Sequence, residues 1–274
     1  MMQGTRLFSL GLVSALACYG CKSKDKAPAK TAPAAKPASA PAAKPAPAAT
    51  KTATKAEAKP AAATAAAGTG ISGVVQFKGT APSEKKIDMS SQPGCIKVAK
   101  DTMSNDYRIK DGKVQDVFVY VKNPPKKKYD VPKEPVVLDQ KGCRYTPKVF
   151  GVMAKQPIEI VNSDPLLHNI HPSGKNTFNL AMPNQGMRLK KKFKKEQVLT
   201  PIMCDVHPWM KSYAGVVKHP FFAVTGADGA FAIKGLPAGT YTLMAVHGAL
   251  GTKTTEITVS EAGDASAQFE FSAP

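Results

Sequence analysis

The sequence has little that would carry it through a membrane. Outside Leu7–Ala17 no apolar run approaches the ~20 residues that a spanning helix needs, and Leu7–Ala17 is itself too short. No window keeps its apolar residues on a 3.6-residue period over helical length, which argues against a helical domain. Cysteine and histidine are scarce, with five of each in 274 residues. There is no Cys-x-x-Cys-His run, which excludes that form of haem attachment. From Lys22 to Gly68 there is no aromatic residue and almost nothing large and apolar. Such a segment cannot bury enough surface to offset the entropy of ordering it.

What is present divides the chain. Residues 1–17 read as an export leader, with Arg6, a short apolar run and a small residue before a cysteine. The junction "ALACYGC" resembles a bacterial lipoprotein box. That resemblance implies lipid acylation of Cys18, or alternatively of Cys21, and so a membrane anchor in the periplasm or cell envelope. Plain cleavage after Ala17 is the other reading, and it also exports the chain to a compartment that permits disulfides. Residues 18–70, rich in Ala, Pro and Lys, read as a disordered tether, because frequent Pro blocks helix and favours extended chain. The net charge is +18, of which residues 71–274 carry +10. An exported cationic protein suits acidic proteins and anionic envelope surfaces, with no nucleic-acid partner expected.

From Ile71 the texture changes. "ISGVVQFKGT", "VQDVFVYVK", "EPVVLDQ" and "KVFGVMAKQPIEIVN" are short, β-branched or aromatic, and bounded by Gly, Pro, Asn and Asp. This is strand texture, and it predicts an all-β fold of sandwich or barrel type. "ADGAF" predicts a hairpin turn, because Asp-Gly tolerates the positive φ of a tight turn. The pattern Thr-x-x-Asp-Gly-x-Phe followed by Leu-Pro-x-Gly-x-Tyr, from Thr225 to Tyr241, resembles a carboxypeptidase regulatory-like (transthyretin-like) sandwich. "GVVQFKG" at 73–79 is similar to the opening strand of that sandwich. The resemblance implies a sandwich split between residues 71–138 and 220–274, with residues 139–219 as a separate module.

Within that module lies "CDVHPWM", Cys204 to Met210, which spaces a thiolate, an imidazole and a thioether three residues apart. Upstream are "KVFGVMAKQPIEIVNSD" and "HNIH". Thiolate and thioether suit cuprous copper, and imidazole suits both copper states. Residues 139–219 resemble a cupredoxin, and the Cys-x2-His-x2-Met spacing is similar to that of amicyanin. The resemblance implies a Greek-key β-sandwich and one type 1 copper, with His168, Cys204 and His207 in plane and Met210 axial. It implies that Asn169 ties the first ligand loop to the cysteine loop. Pro208, lacking an N–H, cannot donate to the thiolate. Trp209 would form an apolar electron-entry patch, where the loop histidine reaches the surface. "LTPIMC" departs from the family, with Pro201 on a strand that is usually aromatic-rich.

The function implied is electron transfer with a redox partner protein, and no enzyme activity. Three other readings stand beside it: a copper-binding or storage module without a partner, a metal-free surface-binding sandwich, and a Cys204 nucleophile beside His207. The last is disfavoured by the lack of an obvious orienting acid. His171, His219 and His247 read as structural or solvated. Cys95 and Cys143 remain, either as a disulfide or as two free thiols. "RLKKKFKK" at 188–195 reads either as a solvated edge strand or as a docking face for an acidic redox partner.

Overall fold

The computed structural model describes residues 69–261 and 263–273. The leader, Cys18, Cys21 and the tether up to residue 68 lie outside the described residues. The sequence predicts a tether that runs to residue 70, but Thr69 and Gly70 already bond to folded chain. Leu236 N–H donates to Thr69 O, and Ala265 N–H donates to Gly70 O.

The described chain is all-β, as the texture predicts. Besides its strands it has one short α-helix, Pro93–Val98, and one 3-10 turn, Gly174–Asn176. The strands form four sheets that enclose two main cores.

The first core is built from both ends of the described chain. Strand Ile71–Lys78 pairs antiparallel with Ala230–Ile233 and parallel with Ala265–Ser272. A second sheet holds Phe222–Val224, Phe118–Val121, Gly239–His247 and Gly251–Val259. Alternate residues point inward: Tyr241, Leu243 and Ala245 from one sheet meet Val75, Phe77, Phe269 and Phe271 from the other. The Thr225–Tyr241 motif has local duties here. Thr225 Oγ1 accepts from Val117 N–H at 2.9 Å and donates to Val114 O at 2.8 Å, while Tyr241 O–H donates to Pro237 O at 2.9 Å.

The Asp228–Gly229 turn is tight, with Gly229 at φ +69°, where a Cβ would lie 2.6 Å from Val75 O. It is not a hairpin. The strands it joins, Phe222–Val224 and Ala230–Ile233, lie in different sheets. Turn chemistry sets only the chain reversal, whereas burial of Phe231 and Ile233 sets the sheet that the next strand joins.

The second core lies between two further sheets. One orders Arg188–Lys192, Pro157–Asn162, Val136–Gln140 and Tyr145–Thr146. The other orders Leu180–Met182, His168–Pro172, Gln197–Met203, Lys211–Val217 and Val149–Met153. Val136–Gln140 pairs in parallel with Pro157–Asn162, so this one strand spans the expected boundary at 138–139. The helix Pro93–Val98 also packs on the second core, through Cys95. Cys95 is disulfide-bonded to Cys143. Residues expected with the first sandwich therefore lie over the second, where the disulfide and the packing of Met89, Ile87 and Val98 hold them.

Pro201 sits in strand Gln197–Met203, next to a register shift between Gln197 and Thr200 where Leu199 has φ +50°. A bulge is where a strand tolerates proline. The two cores meet at Phe222, whose ring occupies the space that a side chain at Gly151 would need, and at Phe118, whose ring does the same at Gly215. A Cβ on Gly215 would lie 2.4 Å from it.

Candidate metal centre

Two adjacent strands and one loop build the site. His168 opens strand His168–Pro172, and Cys204 follows directly on strand Gln197–Met203. These strands pair antiparallel, with His171 opposite Met203, which brings the two residues to one end of the sheet. The loop from Cys204 to Met210 closes on itself. Met210 N–H donates to His207 O at 2.9 Å, and Cys204 N–H donates to Met210 O at 3.3 Å. Strand Lys211–Val217 then leads away.

The structure brings His168, Cys204 and His207 together, with donor atoms within 4.8 Å of one another. His168 Nδ1 lies 3.0 Å from His207 Nδ1, and Cys204 Sγ lies 3.6 Å from His207 Nδ1. The site is sealed: His168 and Met210 are 0% exposed, Cys204 1% and His207 2%. Met210 lies in the same core cluster as Cys204, at the end of the closed loop.

Burial works to raise the Cys204 thiol. Hydrogen bonds from His168, from His207 and from the backbone N–H groups of Asn169 and His207 outweigh it and bring the thiol down to about 6. Burial alone would lower His168, but its bonds to Asp164 and Cys204 raise it. Asp164 is lowered: burial opposes ionisation, yet His168 and the N–H groups of Cys143 and Gly142 all donate to its carboxylate.

Asp164 is a site residue that the sequence reading missed. Its signal is the Asn-x-Asp at the end of "IEIVNSD", four residues before His168. Its carboxylate accepts from Gly142 N–H at 2.7 Å, Cys143 N–H at 2.8 Å and His168 Nε2 at 3.0 Å. Asn162 holds this turn, accepting from Asp164 N–H and donating to Leu166 O and Met182 O. Tyr145 was also missed. Its hydroxyl donates to Asn169 O and Met203 O, tying together the strands that carry His168 and Cys204.

The remaining expected residues fall as follows. Asn169 Oδ1 accepts from Asp205 N–H at 2.7 Å, which links the first ligand strand to the cysteine loop. Pro208 is exposed on the loop, and the N–H groups that reach the sulfur come from Asn169 and His207. His171 is outside the donor cluster and pairs with Asp205. His219 and His247 lie in the framework, each accepting backbone N–H bonds. Trp209 is half-buried, its indole N–H donating to Cys143 O and its ring 5.4 Å from His207.

The loop histidine does not reach the surface, contrary to expectation. The Cys95–Cys143 sulfurs lie within 4.8 Å of a His207 ring nitrogen, and the helix that carries Cys95 covers that end. The sequence offers no obvious orienting acid for a Cys204 nucleophile, yet Asp164 and His168 supply one. The sulfur itself is buried, at 1% exposure.

The donor set fits a soft transition-metal ion. A thiol poised to ionise and two imidazoles converge where water is excluded, and thiolate with imidazole is the chemistry that copper and zinc take.

No family model matches the sequence, and no curated protein matches it. Among solved structures, a Cu-containing nitrite reductase (NirK) from Thermus scotoductus SA-01 overlaps 34% of this chain, at 21% identity and a TM-score of 0.28. This chain spans only 25% of that enzyme. A purple cupredoxin from Nitrosopumilus maritimus overlaps 30% of this chain and 98% of its own, at 21% identity and a TM-score of 0.27. The Cu(I) form of a mutant amicyanin overlaps 36% of this chain and 97% of its own, at 17% identity and a TM-score of 0.26. These are overlaps with about a third of the chain, and the metal assignment stands on the donors themselves.

Proposed function

We propose that the protein is an exported electron carrier holding one copper ion at His168, Cys204 and His207, with Met210 as the fourth candidate donor. The observation that carries this reading is the convergence of two Nδ1 atoms and one Sγ in a sealed pocket, with the thiol brought down to about 6. A copper ion bound there supplies a one-electron redox centre. The chain's own residues do the rest. Asp164 accepts the Nε2 proton of His168 and leaves Nδ1 for the pocket. The N–H groups of Asn169 and His207 steady the sulfur, and the strand pairing fixes both sides of the site before any ion arrives. A site rigid in this way limits rearrangement when the bound charge changes.

The leader reading of residues 1–17 and the Cys18 or Cys21 anchor place this carrier in the cell envelope, tethered to a membrane. The edge strand Arg188–Lys192, which exposes Arg188, Lys190 and Lys192, suits an acidic partner protein. We read the first sandwich as carboxypeptidase regulatory-like, on the Thr225–Tyr241 motif.

A second reading has one specific support. His207 offers no exposed edge to a partner, which favours a copper store over a carrier. The visible spectrum of oxidised, copper-loaded protein tests the site: an intense thiolate-to-copper band is expected, and Cys204→Ser should abolish it. A protein that binds no copper, or a variant that keeps the band, ends the copper reading. Electron self-exchange then separates carrier from store, with a slow rate favouring the store.

A further inference from the structure

His207 belongs to two donor groups. With His168 and Cys204 it forms the inner pocket, and with Cys95 and Cys143 it forms a second group whose donor atoms also lie within 4.8 Å of one another. In the second group the two sulfurs are joined in a disulfide and donate to nothing. We propose that Cys95, Cys143 and His207 form an entry site for cuprous copper that exists only while this disulfide is reduced, and that disulfide formation closes it. The inference rests on the copper reading of the inner pocket and adds a route into it.

Three observations carry it. First, the inner pocket is sealed, so an ion reaches it only if something moves. Second, the disulfide is the covalent hold on what covers it, beside the packing of Met89, Ile87, Val98 and Ala99 on the second core. Cys95 is the one buried residue of the helix Pro93–Val98. The flanks of this segment have their own anchors. Glu84 accepts from Ser104, Asp106 and Tyr107, and Arg144 donates to Asp101 O and Met103 O. Cutting the disulfide therefore removes the covalent tie at the centre of the segment while its ends stay attached, so that the segment can open locally without the rest of the fold. Third, the groups released by reduction are two thiols, the ligands that cuprous copper prefers, and they stand beside an imidazole shared with the inner pocket. An ion passes inward by exchanging partners around His207.

The redox step is thiol–disulfide exchange with a dithiol reductant. A thiolate of the reductant attacks one of the two sulfurs and releases the other as a thiol. The second thiol of the reductant then resolves the mixed disulfide. The reductant leaves oxidised, and Cys95 and Cys143 have gained two electrons and two protons. Both sulfurs are buried, so the exchange waits on local opening. Copper binding displaces the thiol protons to solvent, and reoxidation by a disulfide oxidant seals the pocket behind the ion.

The test is anaerobic cuprous stoichiometry, measured by competition with a chromophoric chelator on oxidised and reduced full-length protein. Oxidised wild type, closed to copper, should bind none over the time in which reduced wild type binds two. Cys204→Ser, which disables the inner pocket, should bind none when oxidised and one when reduced. In the reduced variant copper should protect Cys95 and Cys143 from iodoacetamide. If the reduced variant binds no ion, or if labelling of both cysteines is unchanged by copper, the entry site is wrong. If reduced wild type binds one ion only, with Cys95 and Cys143 protected, the inner site fails instead, and the Cys204→Ser comparison still decides this one. Should Cys204→Ser not fold, the double variant Cys95→Ser/Cys143→Ser decides: when reduced it should bind one ion where wild type binds two, and equal binding overturns the proposal.

Discussion

Asp164 and His168 are joined at Nε2, 3.0 Å apart, while the other ring nitrogen of His168 lies 3.0 Å from His207 Nδ1. An ionised carboxylate can only accept, so Nε2 carries the proton and Nδ1 is the atom that faces the pocket. The same carboxylate is held by the N–H groups of Gly142 and Cys143, next to the disulfide. One side chain therefore orients a candidate ligand and ties it to the turn whose Cys143 is disulfide-bonded to the covering helix.

Asp164→Asn should weaken copper binding by about 10–100-fold, the usual cost of losing a group that orients a ligand. It should also raise the reduction potential, because an imidazole without an anionic partner donates less strongly to the cupric state. Chelator competition and potentiometry check this. An unchanged potential would mean that Asp164 only holds the 142–143 turn.

Met210→Leu should leave a coloured copper protein with a higher reduction potential. A thioether donor is lost, and the cuprous state is favoured. The side chain is fully buried, so a similar apolar volume should keep the fold. A potential equal to wild type within error would make Met210 a core residue and not a ligand.

Replacing Lys190, Lys192 and Lys194 by Glu should slow electron transfer to an acidic partner. The effect should be largest at low salt, since screening over ~10 Å at 0.1 M removes the attraction. The spectrum and potential should not move, because these side chains stand on an edge strand and its exit, outside the donor cluster. A bimolecular rate untouched at low ionic strength would leave the strand as a solvated edge and nothing more.

Stability should fall on mild acidification. Burial pushes His219 and His247 down to about 4. Phe221 N–H donates to His219 Nδ1, and the N–H groups of Ala249 and Leu250 donate to His247 Nδ1, so protonation would remove an acceptor in each case. The ordinary imidazole value is about 6.5, so between about 6.5 and 4 the unfolded chain binds more protons than the folded one, and stability rises with pH. The full contribution is present above pH ~6.5 and is lost as the pH falls toward 4. Each histidine loses about 1.4 kcal/mol for every pH unit crossed in that window. Melting temperatures across this range check it. His219→Asn with His247→Asn, which keeps an acceptor that does not titrate, should flatten the profile, and an equally steep profile would place the acid sensitivity elsewhere.

The all-β character was legible in the sequence because short β-branched and aromatic runs bounded by Gly, Pro, Asn and Asp favour strand locally. Asp228–Gly229 was legible as a turn for the same reason: the backbone conformation of Gly229 is a local matter. Which sheet the next strand joins was not legible, because that depends on a core assembled from residues at both ends of the described chain.

The candidate site divides along the same line. "CDVHPWM" by itself determined three candidate donors and their order, since three-residue spacing on one short loop needs no long-range contact to hold. His168 was legible as a ligand through its resemblance to a known pattern, but strand pairing is what brings its Nδ1 to the loop. Asp164 stood in plain view four residues upstream, and only the tertiary structure turned it toward Nε2. Cys95 and Cys143 are 48 residues apart, with no sequence period connecting them. Their bond joins the helix Pro93–Val98 to the second core beside His207. Exposure of a side chain depends on what the rest of the chain lays over it, so the sequence determined the candidate donors, and the tertiary structure alone decided that the site is closed.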